Sequence, residues 1–76
     1  MASNKTIKTK DFKKVLRSWG LEHKSTKGSH EKWSKPGMTR PVIVQGSRKE
    51  LPKFIFINNL KTLGKTEDDF FNELGK

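Results

Sequence analysis

The chain has 76 residues and a formal net charge of +9, from 17 Lys and Arg against 8 Asp and Glu. A chain of this length forms a single domain, residues 1–76, and buries only about 60–65% of its unfolded surface, which excludes an elaborate, deeply enclosed active site. The absence of cysteine removes disulfide staples, thiolate nucleophiles and cysteine-based zinc sites, while the cation excess points to a polyanionic partner, whose condensed counterions are released on binding.

Residues 1–8 carry no periodic apolar signal and are expected to form a flexible arm, basic through Lys5 and Lys8. From Thr9 the pattern becomes helical. Phe12, Val15, Leu16 and Trp19 fall at i, i+3, i+4 and i+7, one stripe of a helix that Thr9 would cap and Gly20 would end. Residues 21–26 and 29–35 are short alternating segments, and Lys27-Gly28 between them reads as a tight hairpin turn. A third strand, "PVIVQ", follows a turn marked by Pro36-Gly37. The segment "KFIFINN" has the alternation and branching of a buried strand. Pro52, the spacing of Phe56, Leu60 and Leu63, and a stop at Gly64 predict a helix instead. Thr66 then caps a short last helix with Glu67, Asp68 and Asp69 in its first turn and Phe70, Phe71 and Leu74 as its apolar contacts. The order is α-β-β-β-α plus a small terminal helix, an α+β two-layer sandwich.

Charge is unevenly spread along these elements. Before residue 50 the only acids are Asp11, Glu22 and Glu31, whereas Glu67, Asp68, Asp69 and Glu73 crowd into the last ten residues. The first two-thirds of the chain is therefore the expected nucleic-acid surface. The longest apolar run, Phe54 to Ile57, is far too short to cross a bilayer, and "MASNKTIKTK" has no apolar stretch that could serve as a secretory signal. A cytoplasmic protein without membrane contact is expected.

His30 follows Gly28-Ser29 in this basic region. Side chains alternate along a strand, so Ser29, Glu31 and Trp33 share one face and His30, Lys32 and Ser34 the other. Trp33 belongs beneath the helices, which turns His30 and Lys32 outward. An imidazole titrates near neutrality and can take the proton of a ribose hydroxyl, which then attacks the adjacent phosphorus and leaves a cyclic phosphate; this chemistry needs no metal and no cofactor. Lys24, Lys27, Lys32 and Lys35 are the nearby cations that would hold the phosphate, and Gly28 and Ser29 let a phosphodiester approach the backbone. A lone histidine on a lysine-rich strand is also compatible with a solvated bystander. Trp19 and Trp33 fit core packing better than base stacking, and the acids at 67–69 fit helix capping better than a metal site.

The segment "KDFKKVLRSWGLEHKSTKGSHEKW" resembles the opening of the HicA toxin family: a first helix ends in glycine, a strand follows, and Gly-Ser-His places its histidine ten residues after that glycine, as His30 follows Gly20. "RPVIV", "KEL" at Lys49 to Leu51 and a closing helix ending in glycine match the later blocks in order, so the resemblance spans about residues 10 to 71. It implies a double-stranded-RNA-binding-domain-like fold, metal-independent cleavage of mRNA with His30 as the catalytic residue, and neutralisation by a HicB antitoxin. Several positions depart from the family pattern. "VQGSRKEL" is one residue short and lacks a Pro-x-His segment, Ser25 stands where many members carry arginine, and Phe54-Ile55 replaces a Gly-Thr pair. The closing helix is unusually apolar, and Phe54 and Ile57 are expected to be exposed and to contact an antitoxin or a second copy. A non-catalytic RNA-binding module of the same fold is the other function compatible with these residues.

Overall fold

The computed structural model describes residues 6–76. Phe12, Val15 and Leu16 stack on one side of a helix, α1 (Thr9–Ser18), and all three are buried. The helix stops because Gly20 takes φ +92, a conformation that lets Gly20 N–H reach the Arg17 carbonyl and Leu21 N–H reach the Leu16 carbonyl. Trp19, the fourth residue of the stripe, sits at this C-terminal cap and is half-buried, with its ring edge-on to Phe70 at 6.5 Å.

The start of α1 differs from the sequence expectation. Lys8 holds the N-cap position and provides no side-chain cap, while Thr9 is the first helical residue and donates its backbone N–H to the Lys49 carbonyl at 2.9 Å. The cause is a long-range pairing that local sequence does not encode. Strand β1 (Ile7–Lys8) runs antiparallel to β5 (Glu50–Leu51), with Ile7 opposite Leu51 and Lys8 opposite Glu50. The expected flexible arm therefore does not reach residue 8; its first five residues lie outside the described residues.

Three strands, β2 (Glu22–Lys27), β3 (His30–Ser34) and β4 (Val42–Gln45), form an antiparallel meander in that spatial order. Trp33, Val42 and Val44 alternate inward from β3 and β4 and are buried. Against them pack α1, α2 (Lys53–Leu63) and α3 (Glu67–Leu74), so the segment "KFIFINN" is helical. The α+β class and the two-layer arrangement follow, with the small β1–β5 ribbon as an addition to the expected order.

Phe12, Phe56 and Phe70, one from each helix, meet in the core: Phe56 and Phe70 are edge-on at 4.8 Å, and Phe12 lies 5.9 Å from both. Thr66 and Asp69 exchange hydrogen bonds at 3.0 and 3.1 Å in a capping box that fixes the start of α3. The backbone N–H and hydroxyl of Thr66, donor and partner in that box, hold the Asp69 carboxyl below its ordinary range. On α2, Phe54 is exposed, as expected, but Ile57 is half-buried and packs against the core, because its position turns it toward the same layer as Phe56 and Leu60. Among the described residues no helix is long and apolar enough to cross a membrane.

Candidate functional site

The β2–β3 hairpin positions His30. Its loop is Gly28–Ser29, one residue later than the sequence pattern indicates, and Lys27 and His30 are the cross-strand pair that closes it. Gly28 has φ +63, and among the described residues positive φ occurs only at glycine, the φ pattern of a type II′ turn with glycine first. Because Lys27 stays in the strand, its side chain emerges on the same face as His30.

Register across the sheet sets the composition of that face. One row reads Lys27, His30, Gln45 and the next reads Ser25, Lys32, Ile43, each residue opposite its neighbour on the adjoining strand. His30, Lys27 and Lys32 are all exposed and, with Ser25 and Ile43, line a shallow depression of about 360 Å³. The Gln45 side-chain nitrogen lies 3.5 Å from His30 Nε2, touching one edge of the ring. Among the described residues no helix covers this face, and Ser25, Lys27, His30, Lys32 and Ile43 are exposed on it.

The opposite face carries the support. His23 lies opposite Trp33 and stacks on it with ring centroids 5.5 Å apart, and its Nε2 lies 2.6 Å from the Thr26 hydroxyl and 3.1 Å from the Ser25 carbonyl. The two histidines therefore sit on different faces of the sheet. Glu31 accepts a hydrogen bond from Trp33 Nε1 at 3.0 Å and an ion pair from Lys13 at 3.1 Å. Partial burial pushes its carboxyl up, but the bonds from Trp33 and Lys13 and the charges of Lys13 and His23 outweigh that and hold it below its ordinary range.

The expected RNA contacts divide. Lys27 and Lys32 join His30, and Gly28 and Ser29 form the adjacent turn, where the Ser29 carbonyl accepts the Gly46 N–H at 2.8 Å. Lys24 is the extra residue where the register shifts between His23 and Ser25, and its ammonium lies 3.1 Å from Glu22. Lys35 lies beyond the strand and donates to the Trp19 carbonyl at 3.2 Å, a bond that ties the end of α1 and leaves this lysine apart from His30. Ser25 and Gln45 enter the site through cross-strand register, which the sequence alone does not fix. Among the described residues no three His, Asp or Glu side chains converge as a metal-binding group.

The family model for the HicA toxin of bacterial toxin-antitoxin systems matches residues 9–64. The chain belongs to the HicA toxin family. No curated protein matches it. The matched span runs from the first residue of α1 through α2 and contains the whole His30 hairpin; α3 lies outside it. Membership makes this chain a toxin and implies an antitoxin as its partner.

Proposed function

We propose that this HicA-family toxin is a cytoplasmic endoribonuclease that cleaves mRNA without a metal, with His30 as general base. The observation that carries the reading is the row on the open sheet face, where an exposed imidazole stands between Lys27 and Gln45 with Lys32 in the next row. The imidazole takes the proton of a ribose 2′-hydroxyl, the 2′-oxygen bonds to the adjacent phosphorus, and the bond from phosphorus to the 5′-oxygen breaks. A cyclic phosphate and a free 5′-hydroxyl result, the leaving oxygen taking its proton from water. Lys27 and Lys32 offset the charge that accumulates on the phosphoryl oxygens, and Gly28 leaves the turn without a side chain at the point where the strand approaches. The Gln45 amide nitrogen can only donate, so its approach to Nε2 leaves that ring nitrogen unprotonated with the ring proton on Nδ1, and Nε2 takes the ribose proton once the substrate hydroxyl replaces this long contact.

One observation favours the second reading, a non-catalytic RNA-binding module. His23, the only other histidine, stacks on Trp33 on the far face, so this sheet face carries no second imidazole to protonate the leaving oxygen. Purified wild type and His30→Ala, incubated in EDTA with a long single-stranded RNA, separate the two. Loss of a general base lowers cleavage about 10²- to 10⁴-fold while binding is retained. Equal binding with no cleavage by either protein would replace the ribonuclease by the binding module.

The antitoxin is, on this reading, a HicB-like protein, and Phe54 is the residue that meets it. It is 66% exposed, an aromatic side chain of the kind that anchors protein interfaces. Ile57, which packs on the core, contributes to that contact through the shape of α2.

A further inference from the structure

A second concentration of positive charge lies away from the sheet face. A groove of about 590 Å³ between α1 and the β4–β5 connection is lined by Lys8, Lys10, Lys13, Arg17, Arg48 and Lys49, with Glu50 as its one carboxylate. Lys13 is paired with Glu31 and Arg17 lies 5.1 Å above the Trp33 ring; Lys8, Lys10, Arg48 and Lys49 make no ion pair among the described residues and are exposed. Two features at the start of α1 point the same way. The start of α1 receives no side-chain cap, and Thr9, which also lines the groove, is 3% exposed with its hydroxyl lacking a hydrogen-bond partner among the described residues.

The extent of the charge limits the occupant. Lys10, Lys13 and Arg17 lie at i, i+3 and i+7, a stripe about 10 Å long, more than a single phosphate group can span. Among the described residues the lining has no aromatic or large aliphatic side chain, so it lacks the anchors on which a tight protein interface depends. The groove is joined to the hairpin through Gly46, which lines it and whose N–H donates to the Ser29 carbonyl one residue before His30.

We propose that this groove is a second RNA track: the strand whose scissile phosphate lies at His30 continues around the end of β4, past Gly46, and lays its backbone along α1. The proposal rests on the reading of the His30 face as an RNA site. Lys8, Lys10, Arg48 and Lys49 hold phosphates, and Lys13 and Arg17 hold the groove against the sheet.

The test uses a 20-nucleotide 2′-O-methyl RNA, which lacks the attacking hydroxyl, titrated by fluorescence anisotropy at several salt concentrations. Three variants are compared with wild type, each checked for an unchanged thermal midpoint: Lys10→Gln/Arg48→Gln/Lys49→Gln in the groove, Lys27→Gln/Lys32→Gln on the sheet face, and Lys53→Gln/Lys61→Gln/Arg40→Gln as a charge-matched control. Loss of three phosphate contacts lowers the slope of log affinity against log salt by about 2, which is a loss of about a hundredfold at 0.1 M salt. That change in the groove variant, with little in the control, is the expected result. A groove variant that binds like wild type while the sheet-face variant weakens overturns the track and leaves the His30 site standing. Weakening in the groove variant alone places RNA in the groove but overturns the shared path and the His30 reading with it. Equal losses in groove and control variants, a groove variant that loses only antitoxin, or no binding by wild type each overturn the proposal.

Discussion

Glu31 and Lys13 meet at 3.1 Å and tie the His30 hairpin to the first helix. Both are largely buried, with side-chain exposures of 15% and 22%, and the same carboxylate also accepts from Trp33. A Cβ built on Gly46 would fall 2.0 Å from Glu31 Oε2, so the strand that follows the site closes directly over this carboxylate. Its folded pKa lies below the ordinary 4.5, so its contribution to stability is present above about that pH and is lost as pH falls through the lowered folded value. Glu31→Gln is expected to cost about 1–2 kcal/mol at pH 7. The difference between wild type and variant shrinks as urea unfolding is repeated at lower pH, below 4.5; a difference that stays constant with pH would show that the charge contributes nothing.

Gly28 holds the turn through its backbone angle and not through crowding. At φ +63 an L side chain is disfavoured, yet an added Cβ there meets nothing within 4 Å. Gly28→Ala is expected to cost about 1–2 kcal/mol, the penalty for a left-handed residue. Asn, which tolerates that conformation, should cost less. Cleavage by the Ala variant should fall further than stability does, because the Lys27–His30 pair closes the loop and moves with it. An Ala variant with unchanged denaturation midpoint and full cleavage would mean that the turn does not set the position of His30.

These residues also show what was legible in the sequence. The helices were readable because Phe12, Val15 and Leu16, then Phe56 and Leu60, repeat at helical spacing and face one core. The outward face of β3 followed from alternation once Trp33 was placed inside. The N-terminal boundary was misplaced because β1 is held by a partner more than forty residues away, and pairing of that kind leaves no local trace. The same reason governs the site. Lys32 and His30 lie on one strand and could be assigned together, whereas Gln45 and Ser25 arrive through register, and Lys35 is drawn off by a carbonyl at the end of α1.

Phe70 makes a further prediction because it lies outside the span matched by the family. The ring is fully buried and touches Phe12, Phe56 and Trp19, so α3 completes the core that α1 and α2 begin. Phe70→Ala is expected to lose about 3–5 kcal/mol, a large share of the stability of a domain this small. Chain ending at Gly64 should give little cooperative unfolding by calorimetry. A truncated chain with a sharp transition near the wild-type temperature would mean that α3 is an appendage.

Phe54 and Ile57 are three residues apart on α2 and are predicted to respond differently to the same change. Phe54 is 66% exposed, so Phe54→Ser removes little from the core and should leave the thermal midpoint close to wild type. If it is an interface anchor, its loss weakens antitoxin binding by about 2 kcal/mol, roughly thirtyfold. Ile57 packs against the core, so Ile57→Ser should lower the thermal midpoint itself and weaken the complex only as the fold loosens. RNA affinity should be nearly unchanged in the Phe54 variant, since the sheet face and the groove lie on other elements. Phe71, 48% exposed on α3, offers the comparison. If Phe71→Ser disrupts the complex and Phe54→Ser does not, the antitoxin sits on α3, and the apolar start of α2 has another role.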